Sequence, residues 1–186
     1  MRLGRKISER TDLLRWEGCN KNNKIIIAGS TWRNDLSLFE NLDYKIIIAP
    51  HELDHLERIK EINNSVLLSD CKIENCNKFN VLIIDEIGVL SKIYRYADIA
   101  YIGGGFGGGI HNVLEAVAFG LPVIFGPNYQ KFNEAKELIK QKGAISICNY
   151  KELSSAIDFF NIFDKSIAIN YIQENSGATR SIIAHI

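Results

Sequence analysis

The chain has 186 residues, 46% of them hydrophobic and 24% charged, an ordinary balance for a globular protein that buries one core. Its 22 basic and 22 acidic residues cancel, so the sequence lacks the basic excess of a nucleic-acid binder and no nucleic-acid partner is expected. No apolar stretch approaches the length that spans a bilayer, and the basic start (Arg2, Arg5, Lys6, Arg10) leads into polar residues rather than a signal-peptide core.

Residues 1–23 are polar and charged, with Leu13, Leu14 and Trp16 as apolar anchors, and read as a lead-in segment with one short helix. From residue 24 the pattern becomes regular, and residues 24–186 read as one domain. Continuous β-branched runs predict strands at 24–28, 44–49, 66–68, 81–84, 99–102, 123–125 and 144–147. Between them, three- and four-residue apolar spacing predicts helices at 35–42, 51–62, 88–96, 112–119, 132–142 and 151–160, and the tail 163–186 reads as largely helical. Gly120 and Pro122 close the helix at 112–119.

Strands of unbroken Ile, Val and Leu are buried on both faces, and with helices between them they form a parallel sheet with right-handed crossovers. The fold class is therefore α/β, a Rossmann-like parallel sheet flanked by helices. In such sheets ligands gather at the carboxyl ends of the strands. Four loops fall on that edge: Gly29-Ser30-Thr31, Pro50-His51, the stretch from Glu86 through Ile87, Gly88 and Val89, and the run Gly103 to Gly109.

That run places six glycines around Phe106, followed by His111-Asn112-Val113-Leu114-Glu115. It matches a dinucleotide fingerprint literally, but the strand that should end in a ribose-binding acid ends instead in Gly126-Pro127-Asn128, and the loop comes late in the sheet. A nicotinamide or flavin is thus disfavoured. Asn112 and Glu115 stand three apart, the spacing of a helix-capping pair; the same placement lets Glu115 accept hydrogen bonds from two ribose hydroxyls, and the two roles are compatible. Cys71 and Cys76 have no matching second pair, and with Cys19 and Cys148 they read as reduced thiols of a cytoplasmic protein rather than zinc ligands.

Ordered blocks carry a resemblance: Ala28-Gly-Ser-Thr31, Ala49-Pro-His51, Ile87-Gly-Val-Leu90, Ala97-Asp-Ile-Ala-Tyr-Ile-Gly-Gly104, Gly109-Ile-His-Asn-Val-Leu-Glu-Ala116, Pro122-Val-Ile-Phe-Gly-Pro127 and Tyr171-x-x-Glu-Asn-x-Gly-Ala178. Together they resemble the C-terminal, donor-binding half of the 3-deoxy-D-manno-octulosonic acid (Kdo) transferases, glycosyltransferases of the two-domain GT-B type that build lipopolysaccharide.

The resemblance implies a domain that binds CMP-Kdo as donor substrate, with no cofactor and no metal. The nucleotide would be held by Ser30, Thr31, Pro50, His51, Ile87, Gly88, Val89, His111, Asn112, Val113, Leu114 and Glu115. It also implies partners: a lipid A precursor as acceptor, and an N-terminal half that binds this acceptor, supplies the catalytic base and touches the membrane. Nothing in the chain matches that half, so the catalytic residues are not assigned, and an excised domain, a gene fragment or one part of a split enzyme, inactive alone, is expected. The complete enzyme would act at the cytoplasmic face of the bacterial inner membrane. The chain departs from the family at Pro50-His51-Glu52, where an arginine is usual; an imidazole cannot form the permanent bidentate clamp of a guanidinium. Two rivals are a GT-B or epimerase domain that uses a UDP-sugar and a non-catalytic nucleotide-binding fragment.

Overall fold

A computed structural model describes residues 24–175 except 41, 43, 60 and 72–77. The lead-in segment 1–23 and the end of the tail, including the last part of the Tyr171–Ala178 block, lie outside the described residues. Seven strands form one sheet in which every pairing is parallel: β1 Ile25–Thr31, β2 Lys45–Pro50, β3 Ser65–Leu67, β4 Val81–Ile83, β5 Ile99–Ile102, β6 Val123–Phe125 and β7 Ala144–Ser146, in the order β3-β4-β2-β1-β5-β6-β7.

The continuous apolar runs are explained by two cores, one on each face. Ile27, Ile47, Leu82, Ala100 and Val123 point into one, with Ile93, Tyr94, Val113, Val117 and Leu138 packed over them. Ile26, Ile46, Ile83, Tyr101 and Ile124 point into the other, beneath Leu36, Phe39, Ile59, Leu153 and Ile157. The period of two thus sorts neighbours to opposite faces. At roughly 25 cal/mol per Å² of apolar surface, this double burial is the main stabilising contribution to the sheet.

The strand nearest the site is longer than its apolar run. β1 continues past Ala28 to Thr31, with a bulge between Gly29 and Thr31 and Ser30 in the left-handed region at φ 52°. The helices are shorter than their apolar spacing suggests. The segment expected at 35–42 is a 3-10 helix, Arg33–Leu38, and that at 51–62 is a 3-10 turn, Leu53–His55, followed by the α-helix Leu56–Ile59. The latter starts late because the His51 N–H donates to Thr31 O at 3.0 Å, which holds His51 in extended pairing beyond β2. Gly88, at φ 78°, delays the next helix to Leu90–Ile93, which continues as the 3-10 turn Tyr94–Tyr96. Downstream lie the helices Leu114–Val117, Asn133–Lys140, Tyr150–Phe159 and Ser166–Asn175. Cys71 is disulfide-bonded, which corrects the expectation of reduced thiols, while Cys148 is free and exposed.

The glycine run is a packed crossing of three strand ends. A Cβ on Gly103 would lie 2.2 Å from Ser30 O, and one on Gly105 would lie 2.6 Å from the backbone of Gly126. Asn128 then staples the loop: its N–H donates to Gly105 O (2.9 Å), its side-chain amide donates to Gly107 O (2.8 Å), and its carbonyl accepts from Ile110 N (3.3 Å). Only at the exposed tip is there room, since a Cβ on Gly108 would meet nothing within 4 Å. Most of the glycines therefore serve the close approach of the chain to itself, and room for a ligand beside the loop is confined to the tip. Gly105→Ala is expected to lower the unfolding free energy by about 3 kcal/mol through overpacking, whereas Gly108→Ala changes it by less than about 0.5 kcal/mol. Urea unfolding of the two variants checks the contrast.

Candidate functional site

β1 lies between β2 and β5. The chain leaves β1 toward one side of the sheet and returns on the other, so the carboxyl ends of β1 and β5 border a topological switch point, where a crevice opens in sheets of this class. One side chain closes its floor. Asp35, fully buried, accepts hydrogen bonds from Trp32 N (2.7 Å) and Gly104 N (3.2 Å) through Oδ2, and from the Tyr101 hydroxyl (2.6 Å) through Oδ1. In return the Asp35 N–H donates to Trp32 O at 2.9 Å. The exit of β1, the body of β5 and the glycine loop are thereby tied to one carboxylate. The phenol of Tyr101 is pushed above its ordinary pKa by burial and then by the Asp35 charge and hydrogen bond, so it stays a donor.

Above this floor three rings meet. Trp32 and His111 lie nearly in one plane (10° apart, centroids 6.2 Å), joined edge to edge by a 2.8 Å hydrogen bond from indole Nε1–H to His111 Nε2. His51 rests on the face of both, with centroids 4.6 Å from Trp32 and 4.3 Å from His111. His111 sits below the ordinary histidine pKa because of burial and the neighbouring His51, with Asp35 opposing.

A cleft of about 520 Å³ opens beside His51, lined by the ends of β1, β2 and β4 and the loop that follows β4. Such a volume is ordinary for a small-molecule site. Among the described residues, its wall carries Glu52, Asp54 and Glu86, and no lysine or arginine. Of the expected site residues, Ser30, Pro50, His51, Ile87 and Gly88 line it, with Ile87 91% exposed.

The other expected site residues are placed differently. Thr31 is buried beneath β1's end, its Oγ1 without a hydrogen-bond partner among the described residues; its carbonyl is the acceptor for His51 N. The side chains of Val89 and Val113 belong to the core, which leaves only their backbone to a ligand. Asn112, Leu114 and Glu115 are exposed and lie outside the cleft wall. Asn112 Oδ1 accepts from Leu114 N (3.0 Å) and its amide donates to Glu115 Oε1 (3.3 Å), so the pair organises the start of the short helix. Beneath them lies Tyr94, whose phenol is raised above its ordinary pKa by burial and by the Glu115 charge. The expected residues thus fall into two groups, the cleft and the Asn112–Glu115 turn, bridged by the His51–His111 stack.

Sequence reasoning did not single out Trp32, Asp35, Glu52, Asp54 or Tyr94. The one available signal was position: Trp32 and Asp35 follow directly on the small-residue turn at the end of β1. Among the described residues, no group of three or more His, Cys, Asp or Glu could hold a metal ion, and no helix is long and apolar enough to cross a membrane.

No protein-family model matches the chain. It is 33% identical over 173 residues to the 3-deoxy-D-manno-octulosonic acid transferase of Rickettsia bellii, an alignment that covers 84% of this chain and 41% of that protein. The chain is a homologue of the Kdo transferases. A Kdo transferase of Aquifex aeolicus is 28% identical over 138 residues, covering 69% of this chain and 39% of that protein. A bifunctional glycosyltransferase/methyltransferase of Fusobacterium nucleatum is 35% identical over 150 residues, covering 73% of this chain and 23% of that protein. The chain thus spans about two fifths of the length of the Kdo transferases it matches and less of the bifunctional protein. Its fold is that of the C-terminal CMP-Kdo binding domain of WaaA from Acinetobacter baumannii, with a TM-score of 0.67 at 18% identity over 91% of this chain and 99% of that one.

The Asp35 carboxylate is expected to hold this Kdo transferase homologue together at the switch point. Asp35→Asn places an amide among three donors and is expected to cost about 2–4 kcal/mol, and Tyr101→Phe about 1–2 kcal/mol. The double variant is expected to lose less than the sum, because both act on one network; chemical unfolding of the four proteins measures this.

Proposed function

We propose that the chain is the donor-binding part of a Kdo transferase and holds CMP-Kdo along the carboxyl edge of the sheet. The observation that carries this reading is the cleft at the ends of β1, β2 and β4, on the edge where the sequence places its motif loops, in a homologue of Kdo transferases. The fold neighbour, a CMP-Kdo binding domain, supports the same ligand class.

In this reading the nucleoside enters the cleft between Pro50-His51 and Ile87-Gly88. Among the described residues, three carboxylates and no lysine or arginine line that wall. Such a wall suits cytosine, whose exocyclic amine donates, better than uracil, which presents a carbonyl acceptor there. The ligand then crosses His51 and His111 toward Asn112 and Glu115, where a carboxylate can accept from vicinal hydroxyls. Ser30, on the cleft wall, would meet its charged portion.

The reaction would be a glycosyl transfer. A hydroxyl oxygen of a lipid A precursor forms a bond to the Kdo anomeric carbon, the bond from that carbon to the phosphate oxygen breaks, and CMP leaves with the electron pair. The hydroxyl proton passes to a base outside this chain, in the half that would also bind the acceptor and touch the cytoplasmic face of the inner membrane. The chain alone would bind donor without transferring it, and it would need no cofactor.

Calorimetric titration of the 186-residue chain tests the reading. CMP is expected to bind at least about tenfold more tightly than UMP, and Glu115→Ala to weaken CMP about tenfold or more with an unchanged melting temperature. Equal affinity for UMP, or Kdo transfer to a lipid A precursor by the chain alone, contradicts it.

A further inference from the structure

The ring cluster contains a constraint that the donor-binding reading does not use. Indole Nε1–H can only donate, so at 2.8 Å from His111 Nε2 it requires a lone pair on that nitrogen. His111 is therefore fixed as the neutral tautomer with its proton on Nδ1, and protonating Nε2 would break the bond to Trp32. His51 lies 4.3 Å from His111, too near for both rings to be charged without mutual repulsion, and 4.6 Å from the indole face, where an imidazolium gains a cation–π contact. Trp32 thus acts on both histidines at once, keeping one neutral through its edge and favouring a charge on the other through its face.

The surrounding groups agree with a proton on His51. Glu52 and Asp54 follow it on the same loop, and Glu86 faces the cleft from beyond β4. Asp35 lies behind His111 with its oxygens engaged by Trp32 N, Gly104 N and the Tyr101 hydroxyl. Arg33 stands with Trp32 and Glu52 around a separate small cavity and opposes the charge. Among the described residues the cleft wall carries no lysine or arginine, so His51 is the one group of these able to become a cation.

We propose that Trp32 is a positioning residue of the donor site, confining the proton of the ring cluster to His51, which then neutralises the negatively charged phosphodiester of the donor in place of a permanent cation. The inference rests on the donor-binding reading and adds to it a proton-dependent grip. Affinity for a phosphodiester would rise as the pH falls through the histidine range, and a nucleoside without phosphate would lack this dependence.

The test uses the 186-residue chain with two probes, cytidine and cytidine 5′-(methyl phosphate), whose single negative charge does not titrate between about pH 5.5 and 8.5. Phosphodiester affinity is expected to rise about tenfold from pH 8.5 to 5.5, and cytidine affinity by less than about twofold. His51→Gln is expected to flatten the phosphodiester profile. Imidazole ¹⁵N spectra of the free chain should show His111 protonated on Nδ1 alone, and Trp32→Phe, which keeps a ring face but removes the donor, should abolish that single tautomer and shift the pH profile. A pH-independent phosphodiester affinity overturns the proposal while leaving donor binding intact. So does a protonated Nε2 on His111, or an unaltered tautomer and profile in Trp32→Phe. Failure of the folded chain to bind either probe at any pH overturns the donor-binding reading and this inference with it.

Discussion

The arrangement at the sheet's edge depends on one buried carboxylate. Asp35 gathers a backbone N–H from the exit of β1, a backbone N–H from the glycine loop and the hydroxyl of a β5 tyrosine. Each donor would be costly to bury unpaired, and each belongs to a different segment. Satisfying them together fixes how the chain leaves β1 and how it returns beyond β5. Trp32 stands three residues before Asp35 and His111 seven after Gly104, so the same anchor sets the distance at which their rings meet.

The glycines follow from that constraint. With β1 and β5 adjacent and the loop turned back across the end of β6, backbone meets backbone with no room for a Cβ at Gly103 or Gly105. A loop of this composition looks flexible in sequence, yet Asp35 and Asn128 bind it at four points. A rigid loop is an advantage for recognition, because little ordering entropy remains to be lost when a ligand docks. The cost is a site split in two, a cleft on the β2–β4 side and a polar turn at Asn112–Glu115, connected through stacked rings.

Much of the fold was legible because burial on both faces writes itself into sequence as unbroken Ile, Val and Leu. The runs at 45–49, 81–84 and 99–102 lie on strands or at their immediate ends. The helices on the site edge were legible in type and not in extent, since their first turns are diverted to other bonds: His51 pairs with Thr31, and Asn112 takes the Leu114 N–H. The cleft loops were legible from small residues and turn formers at strand ends. Trp32 and Asp35 were not, because their defining partners, His111 and Tyr101, are 79 and 66 residues away. No local periodicity encodes a contact of that kind. Val89 and Val113 show the converse: motif position pointed to the ligand, while their apolar side chains went to the core.

The central claim is that the carboxyl edge around the switch point receives the donor nucleotide across both of its parts. The most direct measurement is a structure of the chain with CMP-Kdo bound. The account predicts the base between His51 and Gly88, the phosphate beside His51 and hydroxyls of the ligand on Glu115. Density for the ligand elsewhere on the sheet, or in the cleft with no contact to His51 or Glu115, would contradict it.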